Sequence, residues 1–324
     1  MTAPLAKIQS PVRAGLDLVS EEMVRIVVTD TPLIGEVSRH LLGMKGKMFR
    51  PTLALLASRV DGELNPRAAT LGAVVELIHL ATLVHDDSVD HSVLRRGMPT
   101  VNALFSHQIS VIMGDFLYSR ALLELVRLSD LEALGILAKA SNDMTLGEMR
   151  QLALHDPLAF SEEDYNLLIK AKTASLMSAA CEVGALCGAE RHRAALARYG
   201  EAMGMAFQVV DDMLDYTEAQ ETTGKPAGLD LREHKVTLPL IAALRTMDAS
   251  ARAEVDTFFA MAEPDDADVA RIVEIVTEEG GLDYARARGD EYAMLAEDAL
   301  AGLPASEATD ALRSAVAYVM ERRS

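Results

Sequence analysis

Two aspartate clusters of identical spacing stand out in this 324-residue chain as groups that could do chemistry. Each reads Asp-Asp-x-x-Asp, and the members are Asp86, Asp87 and Asp90, followed by Asp211, Asp212 and Asp215. In a helix, the first and last aspartates of such a cluster share one face, where like charges repel by about 0.2–0.5 kcal/mol. Carboxylate oxygens suit magnesium, which usually shares phosphate oxygens as well. The clusters therefore predict magnesium ions and a diphosphate ester bound between them.

The segments that must position the clusters are strongly apolar. From Leu71 to Val84 the polar side chains are Glu76, His79 and Thr82, so this helix should be buried nearly all round. Ending such a helix in carboxylates sets them against the negative end of its dipole. The alternative is a solvated helix end. For one aspartate pair alone, a solvated helix end would be the better explanation. For two matching clusters, a metal site is the better one.

Basic side chains near the clusters could hold the anion. Of the eight lysines, only Lys7 and Lys139 lie outside four basic segments. A diphosphate needs such cations besides the metal, and amide groups at a helix start favour anions too. Each segment alone could be ordinary surface charge. The segments contain Lys47 and Arg50; Arg95 and Arg96; Lys170 and Lys172; and Lys225 to Lys235.

Composition narrows the class of protein. Half of the residues are apolar and the formal net charge is −18, which argues against a nucleic-acid partner. No uninterrupted apolar run approaches the roughly 18 residues of a membrane span, and the first ten residues lack the apolar stretch of a signal peptide. We expect a soluble, cytoplasmic protein.

Helix-forming residues and apolar spacings of three and four predict an all-α protein without sustained strand alternation. We expect one helical domain, 1–324, built as a bundle. The helices are predicted at about 12–28, 32–42, 49–59, 66–90, 100–126, 130–153, 162–187, 191–217, 237–246, 249–262, 267–279, 281–300 and 306–322.

Five motifs in fixed order resemble those of the trans-isoprenyl diphosphate synthases, especially the polyprenyl branch. They span about residues 43 to 241 and read GKMFRP, LVHDDSVDHSVLRRGMPT, KAKT, FQVVDDMLDY and GKPAGLDLREHKVTLPLI. The C-terminal third contains no motif that matches securely. The resemblance implies an isoprenoid-synthase-type helical bundle around a central cavity, usually a homodimer. It also implies head-to-tail condensation in trans of isopentenyl diphosphate with an allylic diphosphate.

The resemblance also implies roles for individual residues. Asp86 and Asp90 would bind two magnesium ions and Asp211 a third. Asp87, Asp212 and Asp215 would support them, with Asp87 and Asp215 counted among the metal-binding residues. The allylic diphosphate would contact Arg95, Lys172, Gln208, Lys225 and Lys235, and isopentenyl diphosphate would contact Lys47, Arg50, His79 and Arg96.

Two further features belong to the same resemblance. The hydroxyl of Thr173 and the amide carbonyl of Gln208 could stabilise a carbocation, and no protein base is required. The loop 220–236 is expected to close over the site. One departure from the family pattern is His234, because many members have Gly before the lysine.

Residues before the first cluster bear on product length. Ala81 lies five residues before Asp86, roughly 7.5 Å deeper at 1.5 Å per residue. Short-chain members often carry a bulky aromatic there, whereas Ala81 and Thr82, followed by Leu77, should leave a tunnel open. This predicts a medium- or long-chain polyprenyl product, with membrane contact at its release. Phe116 or Tyr118 could still close the tunnel early.

Other classes of function remain open. The nearest alternative is a short-chain geranylgeranyl or farnesyl diphosphate synthase. A terpene cyclase would pair one Asp-rich motif with an Asn/Ser/Glu motif and would need an aromatic pocket, but aromatics make up 4% of this chain. A non-catalytic subunit would lose an Asp cluster or the basic motifs. The C-terminal Arg322 and Arg323 are expected to form a solvated tail, with approach to the substrate as the alternative.

Overall fold

The computed structural model describes residues 4–44, 46–62, 65–95, 97–153, 156–217 and 228–322. In these ranges the fold is all-α apart from one two-stranded hairpin, as predicted. The helices are α1 (Leu5–Gln9), α2 (Arg13–Val27), α3 (Pro32–Gly43), α4 (Phe49–Ser58), α5 (Pro66–Val89), α6 (Val101–Leu104), α7 (His107–Arg127), α8 (Leu131–Leu152), α9 (Glu162–Ile169), α10 (Ser175–Gly188), α11 (Arg193–Thr217), α12 (Leu229–Arg232), α13 (Leu238–Ala243), α14 (Ala249–Phe259), α15 (Asp266–Glu278), α16 (Gly281–Leu300) and α17 (Glu307–Met320). The antiparallel strands are β1 (Leu94–Arg95) and β2 (Met98–Pro99).

Two predicted helices are interrupted in the structure. The helix predicted at 100–126 is divided into α6 and α7, because Thr100 and Ser106 both act as N-caps and accept backbone N–H groups three residues ahead. The helix predicted at 162–187 contains a π-helical turn at Lys170–Ala174. The short helices α1 and α12 and the hairpin were not predicted, since their lengths give no periodic signal.

Helix α5 forms the centre of the larger apolar core. The side chain of Asn65 caps its first turn, and the helix packs against α2, α4, α7 and α10. Among the described residues, α5 is the one helix long and apolar enough to cross a membrane. Because 72% of its most apolar window is buried inside the protein, α5 has the character of a core helix.

Helices α7 and α11 fix the surroundings of the two clusters. In α7, Ser110 donates to the backbone oxygen of Val84 at 3.2 Å, and a Cβ added to Gly114 would lie 2.3 Å from the His85 ring. The small residue at this position lets the His85 ring lie against α7 where that helix crosses the end of α5. Helix α11 packs against α10 and α16 and belongs to both apolar clusters of the protein.

Candidate active site

The first aspartate cluster divides into one buried and two more accessible carboxylates. Asp87 is buried and pairs with Arg95, whose Nε lies 2.8 and 2.9 Å from the two carboxylate oxygens. The hairpin places Arg95 eight residues along the chain yet beside the end of α5. Asp86 is partly buried and Asp90 is exposed. These two are therefore the members of the cluster that a metal can reach.

The electrostatic surroundings of Asp86 favour a bound cation. Burial raises the pKa of its carboxyl to about 6. The charge of Lys172 lowers this pKa, Glu148 and Asp90 raise it, and Arg95 lowers it again. A divalent cation would stabilise the ionised carboxylate of Asp86, because its positive charge offsets burial and the neighbouring negative charges.

The π turn at Lys170–Ala174 depends on two glycines that allow close approach. A Cβ at Gly147 in α8 would lie 2.9 Å from the Cβ of Ala171, and a Cβ at Gly204 in α11 would lie 2.4 Å from the Cα of Ala174. Extra residues of this kind inside a helix are frequent at functional sites. The wider turn of the backbone carries Lys172 and Thr173 between α8 and α11.

The side chains of the π turn contact both neighbouring helices. Lys172 Nζ lies 2.5 Å from Glu148 Oε1. The Thr173 hydroxyl donates to Gln208 Oε1 at 2.7 Å, and Gln208 Nε2 donates to Asp212 Oδ1 at 2.7 Å. Because Glu148 and Lys172 also shift the pKa of Asp86, the turn links the end of α5 to the end of α11.

Asp212 is the buried member of the second cluster. Its second oxygen accepts a hydrogen bond from the Tyr165 hydroxyl at 2.6 Å. Burial, followed by the charge of Asp230, raises the pKa of Asp212 well above its usual range, and hydrogen bonds from Tyr165 and Gln208 oppose that rise. Both oxygens of Asp212 are thus held by protein donors.

Asp215 holds the segment that follows the second cluster. Its two carboxylate oxygens accept the backbone N–H groups of Leu229 at 3.1 Å and Asp230 at 3.0 Å. Its backbone oxygen also accepts the N–H of Gly228 at 2.8 Å. Burial and the charge of Asp215 raise the pKa of Asp230 to about 7, against the lowering effect of Lys235. The carboxylate of Asp215 therefore serves as an anchor for α12 in this structure.

Lys235 connects the two aspartate clusters. Its Nζ lies 3.9 Å from Asp90 Oδ2 and 2.6 Å from Glu233 Oε2. Its backbone N–H donates to the oxygen of Asp230 at 2.7 Å, and Asp230 contacts Asp215. The cationic side chain at this position therefore lies beside the first cluster, while its backbone contacts the segment that the second cluster anchors.

His234, the departure from the family pattern, adopts a left-handed backbone conformation with φ of +52°. Glycine reaches this region without steric strain, which explains why many members carry Gly here. The His234 ring lies 5.9 Å from the ring of Phe258 and 5.4 Å from that of Phe259. This aromatic packing offsets the strain and maintains the turn before Lys235.

Asp211, the exposed member of the second cluster, pairs with the C-terminus. Arg322 Nη2 lies 2.8 Å from Asp211 Oδ1, and the guanidinium carbon lies 4.3 Å from the centre of the Phe207 ring. The Arg322 side chain is only 10% exposed. The expectation of a solvated tail is therefore wrong for Arg322, because the ion pair and the cation–π contact fix it against α11.

The residues predicted to hold isopentenyl diphosphate lie on neighbouring helices. Lys47 precedes α4, and Arg50 lies in its first turn, after Met48 in a left-handed conformation with φ of +49°. Helix α4 packs against α5, which carries the partly buried His79. Arg96, Lys225 and positions 220–227 of the predicted closing loop lie outside the described residues.

The residues predicted to control product length lie on different faces of α5. Ala81 is 1% exposed and Leu77 is 0% exposed, so no water-sized space adjoins them in this structure. In the part of α5 that follows Glu76 in sequence, the partly exposed residues are His79, Thr82, Leu83, His85 and Asp86. Ala81 is therefore enclosed by packing in the described structure, and a product passing there would have to part the neighbouring side chains.

The remaining accessible carboxylates fit magnesium. Among the residues that the structure describes, no three His, Cys, Asp or Glu side chains group closely enough to hold a metal by themselves. Magnesium typically takes one or two carboxylates together with waters and substrate phosphates. Asp86 and Asp90 at the end of α5, and Asp211 in the last turns of α11, can supply oxygen ligands of this kind.

The structure adds four partner residues to the predicted site, and of these only Arg322 was considered from the sequence. Glu148 pairs with Lys172, Tyr165 with Asp212, Asp230 with Asp215, and Arg322 with Asp211. A usable signal existed for Tyr165, which lies seven residues, about two helical turns, before Lys172. The other partners are distant in sequence or on a short unpredicted helix.

Comparisons with known proteins show which family the chain is similar to. A family model described as polyprenyl synthetase matches residues 31–276. Octaprenyl diphosphate synthase of Haemophilus influenzae is 38% identical over 321 residues, covering 98% of this chain and 97% of the relative. All-trans-nonaprenyl-diphosphate synthase (geranyl-diphosphate specific) of Rhodobacter capsulatus is 39% identical over 293 residues, covering 90% and 89%.

The fold of this chain also matches that of a solved structure. The crystal structure of polyprenyl synthase from Caulobacter crescentus, complexed with calcium and isoprenyl diphosphate, matches with a TM-score of 0.94 and 36% identity. The match covers 100% of this chain and 99% of that one. The chain therefore belongs to the polyprenyl synthetase family, the trans-isoprenyl diphosphate synthases that its motifs resemble.

Proposed function

We propose that this protein is a magnesium-dependent prenyltransferase that condenses isopentenyl diphosphate with an allylic diphosphate, in trans and head to tail, to make a medium- or long-chain polyprenyl diphosphate. The observation that carries the proposal is that Lys235, 3.9 Å from Asp90 of the first cluster, is joined through Asp230 to Asp215 of the second. The family match supports the reaction. The octaprenyl and nonaprenyl relatives support the length class.

The proposed reaction follows from the charges. The allylic C–O bond breaks, and its electron pair leaves with the diphosphate. The double bond of isopentenyl diphosphate forms a new C–C bond with the resulting carbocation. A proton is then lost to the released diphosphate, which restores a double bond. When bound, magnesium, in three ions, supplies electrostatic stabilisation of the leaving diphosphate.

The chain's own residues would then bind and orient the substrates. Lys172 and Lys235 can reach an anion held between the clusters, each as a point charge. The Thr173 hydroxyl and the Gln208 amide, fixed by their mutual hydrogen bond, lie at the π turn between the two clusters and would stabilise the carbocation. Arg95 would contact the allylic diphosphate while holding Asp87 in place.

A labelled-substrate assay tests the proposal. Purified protein would be incubated with farnesyl diphosphate and labelled isopentenyl diphosphate, with magnesium or with EDTA, and the products sized. We expect products longer than twenty carbons with magnesium and none with EDTA. No elongation under either condition would refute the synthase function. A single twenty-carbon product would refute the length class in favour of a geranylgeranyl diphosphate synthase.

A homodimer is proposed from an exposed apolar stripe on α7. Ile112, Leu123 and Val126 share one face of this helix and are 61%, 51% and 62% exposed. Val28, which is 63% exposed, lies nearby, because Arg120 of α7 donates to its backbone oxygen at 3.1 Å. Exposed apolar side chains that recur along one helix face are typical of a subunit interface.

Charged residues in the stripe should abolish the dimer. We expect Ile112→Asp combined with Val126→Asp to elute as a monomer in size-exclusion chromatography with light scattering, because a buried unpaired charge is strongly unfavourable. The matched control is Leu295→Asp on α16, which is 56% exposed and should leave the dimer intact. A dimer that persists in the double variant would place the interface elsewhere.

Arg322 is expected to compete with metal for Asp211. Its guanidinium already lies 2.8 Å from Asp211 Oδ1, so a metal at this oxygen must displace it or share it. We therefore expect Arg322→Ala to tighten Mn²⁺ binding in the absence of diphosphate by about 3-fold to 10-fold, measured by calorimetry. Arg313→Ala, which removes a surface pair with Asp310, should leave the affinity unchanged. Weaker binding by Arg322→Ala would contradict this competition.

The cellular setting is also a proposal. We propose a cytoplasmic enzyme whose substrates are isopentenyl diphosphate and an allylic diphosphate, with transient membrane contact when the apolar product is released. Its net charge of −18 disfavours nucleic acid as a partner.

A further inference from the structure

One hydrogen-bonded chain of side chains runs from α9 through α11 to the π turn. The Tyr165 hydroxyl donates to Asp212 Oδ2 at 2.6 Å. Asp212 Oδ1 accepts from Gln208 Nε2 at 2.7 Å. Gln208 Oε1 in turn accepts from the Thr173 hydroxyl at 2.7 Å. Three elements of the fold therefore meet in one polar chain that ends at the side chains proposed to stabilise the carbocation.

The order of donors and acceptors fixes the orientation of the Gln208 amide. In the structure the amide nitrogen of Gln208 faces Asp212 Oδ1, and an ionised carboxylate can only accept. The amide oxygen is then directed to Thr173. An opposite orientation of Gln208 would place its oxygen against the carboxylate of Asp212. The position of Asp212 consequently decides how the Gln208 amide is presented.

Tyr165 is the fixed end of this chain. It is 1% exposed and lies in the smaller of the two apolar cores of the protein, which also contains Ile169, Met205 and Val209. A ring buried to this extent is not accessible from solvent in this structure. Its effect on chemistry must therefore be transmitted through Asp212, which is itself buried. Without the Tyr165 hydroxyl, one oxygen of a buried carboxylate would lose a strong donor.

We propose that Tyr165 is a positioning residue for prenyl transfer, which through Asp212 holds the Gln208 amide and the Thr173 hydroxyl in one arrangement. The inference rests on the roles proposed above for Gln208 and Thr173. It assigns Asp212 to the support of Gln208, leaving Asp211 as the accessible metal ligand of the second cluster.

Removing a single hydroxyl tests the proposal. We expect Tyr165→Phe to lower kcat about 10-fold to 30-fold, because Gln208 and Thr173 lose their fixed arrangement, while KM for isopentenyl diphosphate changes less than about twofold. The matched control is Tyr199→Phe, which also removes a buried hydroxyl. The Tyr199 hydroxyl donates to the backbone oxygen of Leu312 at 2.8 Å. Tyr199→Phe should retain the kcat of the parent protein.

A double-mutant cycle separates positioning from general destabilisation. If Tyr165 acts through Gln208, then Tyr165→Phe should add nothing to the loss of kcat already caused by Gln208→Ala. The proposal would be overturned if the double variant lost the product of the two single-variant losses of kcat. It would also be overturned if Tyr165→Phe and Tyr199→Phe lost kcat equally. Should Tyr165→Phe not fold, Asp212→Asn tests the same chain with the ring in place, and it too should add nothing to Gln208→Ala.

The role proposed for Gln208 and the positioning role proposed for Tyr165 can be refuted separately. Unchanged kcat in Gln208→Ala would refute the proposed role of Gln208 and with it this inference. A large loss in Gln208→Ala together with unchanged kcat in Tyr165→Phe would refute the positioning role alone, leaving the proposed function intact.

Discussion

Replacement of Asp86 by alanine is expected to lower kcat by at least about 10³-fold, or roughly 4 kcal/mol of transition-state stabilisation. Asp86 is one of the carboxylates of the first cluster that a metal can reach, whereas Asp87 is buried against Arg95. Loss of this ligand would leave the departing diphosphate poorly neutralised. Steady-state kinetics with labelled isopentenyl diphosphate measures the effect.

The fold of Asp86→Ala should survive. Because burial raises the pKa of Asp86 to about 6, the ionised carboxylate is less favourable in the folded protein than in water. Its removal should therefore leave helical circular dichroism and the melting temperature nearly unchanged. Asp143→Ala is the matched control, since it removes an aspartate that pairs with Lys139 at the surface of α8. Loss of the fold in Asp86→Ala would mean that the cluster is structural.

Replacement of Ala81 by phenylalanine is expected to shorten the product to about twenty carbons or fewer. Ala81 lies roughly 7.5 Å from Asp86 along α5, on a buried face of the helix. A ring at this position would block a chain that parts the side chains around Ala81. Product sizing by chromatography reads out the change directly.

Thr82→Phe decides which face of α5 guides the growing chain. Thr82 is partly exposed, whereas Ala81 is not. If the chain grows past Ala81, then Ala81→Phe shortens the product with modest loss of stability. If it grows along the accessible face, Thr82→Phe shortens the product, and Ala81→Phe mainly destabilises the protein by overpacking, by about 1–3 kcal/mol. Unchanged product length in both variants would contradict control of length by this part of α5.

The sequence was sufficient for the helical framework. Long helices such as α5 and α11 carry a sustained apolar pattern, and caps such as Asn65 mark their starts. It was also sufficient to single out both aspartate clusters, because their spacing is a property of one helix turn. These features depend on neighbours along the chain, which a sequence displays directly.

The unequal roles of the aspartates could not be predicted in the same way. The helical spacing separates Asp87 from the face shared by Asp86 and Asp90, but only the structure shows that Arg95 returns on a hairpin to Asp87. The partner of Asp212 is Tyr165, 47 residues away. Such pairings are decided by packing between helices, and no local pattern records them.

Deviations from regular structure were equally hidden. The π turn that carries Lys172 and Thr173 requires close approach at Gly147 and Gly204 on two other helices. The position of Arg322 depends on α17 bringing the C-terminus back to α11. In both cases the physical cause is a long-range contact.

Counting metal ions tests most directly whether the two clusters hold magnesium and a diphosphate between them. Mn²⁺ would be titrated into the protein with inorganic diphosphate present, and the bound ions counted by electron paramagnetic resonance. We expect three ions per chain in the parent protein, two in Asp211→Asn and at most one in Asp86→Asn, with diphosphate binding that requires the metal. Equal ion counts in all three proteins, or tight diphosphate binding without metal, would contradict the account.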